Sequence, residues 1–198
     1  QWQQALLTAR CSLDSFLLAL EQHFPDYYQL KYAGPVADLS AVRKFAGNQN
    51  ACVVEFFYGD EAIYALSAST DTVLFQKITD RAILETALNG LHQGLRHPDA
   101  TRQSDSERLE EFQFFCQNAS MLFHDLLAPV LDAPARKTAT RPEKLILIPD
   151  GPLCYLPFHI LLSGQPEASA GAPDYRHLPY LLRQFSVQYE SAGTILLH

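Results

Sequence analysis

Paired cysteines, a surplus of basic charge and long apolar runs are all missing from this sequence. Its four cysteines, Cys11, Cys52, Cys116 and Cys154, stand far apart and form no CxxC pair. That argues against a zinc site and against a disulfide framework. Each lies in or beside an apolar run, where a free thiol acts as a small hydrophobe, so a reducing, cytoplasmic setting is expected. Fifteen Lys and Arg against 22 Asp and Glu leave a net charge of −7. This is the wrong sign for a chain that tracks phosphates, and no nucleic-acid partner is expected. No apolar run approaches the ~20 residues that cross a bilayer, so no membrane partner is expected either. There is no GxGxxG, no Walker loop and no HxxxH pair among His23, His92, His97, His124, His159, His177 and His198. No metal or cofactor is therefore expected. The chain opens at Gln1 without a methionine, as an excised fragment would, and no secretory signal is visible.

What is present is an ordinary globular composition: 47% hydrophobic and 19% charged residues over 198 positions. That suits one moderately large domain, or a domain with an appended helical segment. Apolar residues at Trp2, Ala5, Leu6, Ala9, Leu13, Phe16, Leu17 and Leu20 mark one helix face, which ends at "HFPDYY". A short helix over about Leu39–Ala46 follows a possible Asp38 cap. Val53–Tyr58, Ala62–Ala68 and Thr72–Ile78 are rich in β-branched and aromatic residues and are separated by turn residues, which predicts an antiparallel meander. Helices are predicted over about Asp80–Leu95, with Gly90 and Gly94 weakening its end, and from Ser104-x-x-Glu107, a capping-box pattern, to near Pro129. "LDAPARKTATRPEK" is a locally basic connection. "KLILIPD" is a short continuous apolar strand of the kind buried on both faces of a sheet. "QFSVQYE" alternates as a strand, and Ser191 could cap a helix in "AGTILLH".

The most ordered stretch is "LILIPDGPLCYLP", Leu145–Pro157. It poses a choice between a loop presenting Asp150 or Cys154 and a tight corner in a core. Asp-Gly between apolar runs is a turn signal, and the prolines pre-set φ. Pro157 suits the first turn of a short helix through Phe158–Leu162. These features favour a structural Asp150. A Cys154–His159 dyad would need the imidazole within hydrogen-bond reach of the thiol, and Cys154 sits in a run that reads as packed.

The same stretch carries a family resemblance. "LILIPDGPLCYLPFHILL", followed by "YLLRQFSVQYESAGTILL", resembles the opening of a CHAT domain (caspase-like, associated with tetratricopeptide repeats). "FPDYYQLKY" and "VVEFFYGDEAIYAL" look like what precedes such domains. The resemblance implies an α/β fold: an antiparallel strand meander with packing helices, leading into the first strands of a caspase-like sheet. It implies a helical and meander region at 1–131, a linker at 132–143 and the first part of a CHAT domain at 144–198. The family's cysteine peptidases use a His/Cys dyad on later strands, with no matching positions here. No catalytic, cofactor-binding or metal residue is therefore carried over. The expected role is the non-catalytic front part of such a peptidase, or a scaffold module of a degenerate one. The expected partners are an upstream repeat segment, a carboxyl-terminal catalytic part and protein substrates or partners.

Three weaker signals complete the reading. Arg136, Lys137, Arg141 and Lys144 read as solvating the linker, with phosphate binding as the lesser alternative. Ser191 lacks the GxSxG frame of a hydrolase elbow. Among Phe56, Phe57, Tyr58, Tyr64 and Phe75, the neighbours Phe56 and Phe57 must face opposite sides of a strand. Burial of both within this chain is expected, the alternative being an exposed apolar patch that marks the surface where the chain has been cut.

Overall fold

The computed structural model describes residues 2–28, 37–95, 104–132, 141–164 and 173–197. Helix α1 (Trp2–His23) runs into a short α2 (Pro25–Tyr28), and α3 (Leu39–Asn48) precedes the strands. Three strands follow as a meander, β1 (Ala51–Tyr58), β2 (Ala62–Ala68) and β3 (Val73–Asp80). Helices α4 (Arg81–Leu95), α5 (Asp105–Leu126) and α6 (Ala128–Leu131) lead to β4 (Lys144–Ile148) and β5 (Ser186–Tyr189). The fold is α/β, as expected.

All five strands build one sheet in the order β3-β2-β1-β4-β5. The meander pairs antiparallel, whereas β4 pairs parallel with β1 (Val53 opposite Ile146) and β5 parallel with β4 (Leu145 opposite Val187). Residues on both sides of the basic connection thus share one sheet. Because β1 and β4 are central, their residues are buried on alternate faces. Cys52, Val54, Phe56, Leu145 and Leu147 meet α4 and α5 on one face. Ala51, Val53, Ile146 and Ile148 meet Val42 and Ala46 of α3 and Leu196 on the other.

Local signals account for most element ends. At α5 the Glu107 N–H donates to Ser104 Oγ (3.3 Å) and the Ser104 N–H to Glu107 Oε2 (2.8 Å), completing the capping box. Asp38 occupies the N-cap position of α3, but its carboxylate takes the Ser40 hydroxyl instead of capping the backbone.

Gly90, read from the sequence as weakening the helix end, also lies where α4 crosses α5. A Cβ there would sit 2.5 Å from Asn118 Oδ1, whose side chain is itself buried and donates to the Phe114 carbonyl. An alanine normally gains about 1 kcal/mol over glycine in a helix. Here the crowding reverses the sign, and Gly90→Ala should lower stability by about 1–2 kcal/mol. A gain in the urea midpoint would show that the helices part without cost.

Two further expectations change. The short helix expected through Phe158–Leu162 is a 3₁₀ turn over Phe158–Ile160, with Pro157 just before it rather than in its first turn, and Gly151–Tyr155 forms another. Ser191 is exposed in a bend and caps no α-helix; a 3₁₀ turn, Ile195–Leu197, begins four residues later.

Candidate functional site

In open parallel sheets, ligands and catalytic groups gather at the carboxyl ends of the strands. Here those ends bring together Glu55 and Tyr58 of β1, Asp150 and Cys154 beyond β4, and Tyr189 of β5. Asp150 serves the turn, as its sequence context indicates: its Oδ2 accepts the Tyr58 N–H at 2.9 Å, tying the end of β1 to the loop after β4. Gly151 has φ +56°, and a Cβ on it would lie 3.1 Å from Tyr58 Cγ. The Asp-Gly pair therefore makes a close join between two parallel strands.

Glu55, on the α3 side of β1, is half-buried. Burial first, and the Asp150 charge second, push its carboxyl above the ordinary 4.5. Raised in the folded chain, this carboxyl opposes folding when ionised. The cost is full above the raised value and absent below 4.5. Glu55→Gln should therefore raise the melting temperature at pH 7, and the gain should vanish as pH falls below 4.5. Asp150→Asn keeps an acceptor for Tyr58 and should recover the smaller share. A Glu55→Gln gain that persists at pH 3.5, about one unit below the ordinary carboxyl value, would contradict this account.

Cys154 and His159 form no dyad. The thiol donates to the Pro149 carbonyl (3.5 Å), and His159 Nδ1 lies 3.4 Å from the Tyr189 hydroxyl. Neither group is directed at the other. The expectation that Cys154 is packed is also overturned: Cys154 is exposed beside Tyr155, which is 79% exposed, and only Leu153 of that turn is buried. A 3₁₀ turn advances about 120° per residue, so one residue in three faces the core. An exposed thiol is accessible to a probe without any dyad, so labelling rate does not diagnose one. Cys52 and Cys116 are buried, and burial pushes the Cys116 thiol up to about 11, away from nucleophilic use.

Other candidates are distributed over the fold. Arg141 donates to Gln184 and lies 5.0 Å over the Phe185 ring, and Lys144 Nζ donates to Gln49 Oε1 at 2.9 Å. These two cations fasten the connection to the sheet rather than solvating it; Arg136 and Lys137 lie outside the described residues. Arg141 also borders a cavity of about 280 Å³ at the amino ends of β1 and β4, with Asn50, Asp71, Asp132 and Phe123 in its wall. His23 approaches the Ala19 carbonyl, and His177 Nδ1 lies 2.6 Å from Asp174 Oδ2. His97 and His198 lie outside the described residues. Among the described residues, no group of three or more His, Cys, Asp and Glu could hold a metal ion. No helix among them is long and apolar enough to cross a membrane.

Two further clusters stand out, the first of which escaped the sequence reading. Tyr58 Oη donates to Glu85 Oε1 (2.6 Å), Arg81 Nε donates to the same oxygen (2.8 Å), and the guanidinium lies 4.9 Å from the Tyr58 ring centroid. The Arg81/Glu85 spacing of four on a helix was the visible signal. The second is aromatic. Phe57, Tyr64 and Phe75 form an exposed patch, with Tyr64 stacked on Phe75 (5.9 Å) and Phe57 edge-on to it (6.2 Å). Burial within the chain was expected; only Phe56 obeys it, stacking on Phe158 at 5.5 Å. No family model matches the chain, and no curated protein matches it.

Proposed function

We propose that this chain is the non-catalytic amino-terminal part of a CHAT-type, caspase-like cysteine peptidase. It supports the catalytic sheet and joins it to upstream repeats. The observation that carries this reading is the pairing of β4 and β5: two parallel strands, with β5 at the open edge of the described sheet. An exposed parallel edge offers unpaired backbone groups to a further strand. Asp150 and Gly151 lock the loop after β4 to β1, which suits a rigid support. The separate partners of Cys154 and His159 support an inactive chain. The free thiols support a cytoplasmic location.

A protein-interaction module is the second reading, favoured by the exposed Phe57, Tyr64 and Phe75. The test reads the native gene beyond His198 and assays the complete polypeptide and this chain against a denatured-protein substrate. Cleavage by the complete protein alone, lost when a downstream strand-end cysteine is replaced, supports the peptidase reading. Absence of that cysteine, or function that survives its replacement, transfers the assignment to the interaction module.

A further inference from the structure

Two apolar surfaces are exposed at once. The first is a stripe on α1 and its extension: Leu13, Phe16, Leu17, Leu20 and Phe24, spaced to fall on one helix face. The Phe24 N–H bonds the Leu20 carbonyl (2.8 Å) and the Tyr28 N–H bonds the Phe24 carbonyl (2.9 Å). Helical bonding therefore continues past Pro25, and residues 2–28 make an arm about 40 Å long. The second surface is the Phe57, Tyr64 and Phe75 patch, on the sheet face whose other half α3 covers. Three large aromatic side chains grouped on an open sheet face form an apolar patch of the kind that marks a contact surface.

We propose that α1 is an exchanged arm: its stripe covers the aromatic patch of a second copy, and the second copy's arm covers this one. The arm does not cover its own sheet, since Phe16, Phe24 and Phe75 are 57%, 62% and 65% exposed in the same chain. The next described element along the chain, α3, packs on that same face. The areas also agree. With about half or more of Leu13, Phe16, Phe24 and Phe75 exposed, and smaller shares of Leu17, Leu20, Phe57 and Tyr64, stripe and patch together offer roughly 700 Å². Two reciprocal contacts bury about 1,400 Å², the size of an ordinary specific interface. The exchange is two-fold symmetric, so it closes as a dimer and leaves neither surface open for growth. It does not rest on the peptidase reading.

The test is sedimentation velocity over a concentration series on the purified chain, Phe16→Glu, Phe75→Glu and an equimolar mixture of the two variants. The wild type should dimerise, and each variant should weaken the dimer at least about 30-fold. The mixture should associate more tightly than either variant alone, because one intact arm then meets one intact patch. Circular dichroism melts check that the variants fold; Tyr64→Lys replaces Phe75→Glu if the latter does not. A wild type that stays monomeric throughout overturns the proposal. So does a dimer that the patch variants leave unchanged, or a mixture that gains nothing.

Discussion

Phe158→Ala should cost about 3–5 kcal/mol of stability, the range for emptying a fully buried aromatic site. Phe158 has no exposed surface, stacks on Phe56 at 5.5 Å and tilts against Tyr189 at 6.3 Å. It is the plug that the segment after β4 pushes under the sheet. Three residues earlier, Tyr155 points into solvent, and Tyr155→Ala should change stability by less than about 0.5 kcal/mol. The pair tests whether this segment is a core corner or a loop built to present side chains. Urea unfolding monitored by circular dichroism provides the comparison. If Phe158→Ala empties the population of folded chain, Phe158→Leu gives a gentler step in the same direction. Equal effects at Phe158 and Tyr155 would remove the corner from the core.

Gly151→Ala is expected to cost about 2–3 kcal/mol, although it adds one methyl group at an exposed position. Three physical effects combine. A φ of +56° is left-handed, which costs a residue with a Cβ roughly 1–2 kcal/mol. The added carbon would meet Tyr58 Cγ, Cβ and Cδ1 at 3.1, 3.2 and 3.3 Å, and Tyr58 is anchored by its hydroxyl on Glu85 and its ring under Arg81. Pro152 follows, and a proline drives a preceding non-glycine residue towards extended backbone. Relief by shifting the backbone at 151 would pull the Asp150 carboxylate off the Tyr58 amide. The variant should then lose part of the Asp150 influence on Glu55 as well, so Glu55→Gln should stabilise Gly151→Ala less than it stabilises the wild type. A double-mutant cycle at pH 7 reads that coupling, and strict additivity would sever the two groups.

At the carboxyl ends of the strands, Asp150 and Gly151 form a structural clasp between β1 and the loop after β4. Asp150 is engaged with a backbone amide, Cys154 and His159 face different partners, and Glu55 is a half-buried carboxyl on the α3 face. Each carries a residue type that chemistry uses, and each is placed by packing.

By itself the sequence determined what rests on short-range physics. The helical spacing of α1, the strands of the meander, the Ser104/Glu107 cap and the continuous burial of "KLILI" all depend on neighbours within a few residues. The Asp-Gly turn was legible for the same reason. Tertiary structure decided the rest: that β4 inserts beside β1 rather than continuing the meander beyond β3, that Gly90 marks a helix crossing, and that Cys154 faces solvent while Leu153 does not. It also decided that Phe56 is buried and Phe57 is not. Alternation along β1 put them on opposite faces, but which face receives α4 and α5 and which receives α3 and Leu196 is set by the packing of the whole chain. The pairing of distant strands follows from the total apolar area buried, a sum over the chain that no local pattern contains.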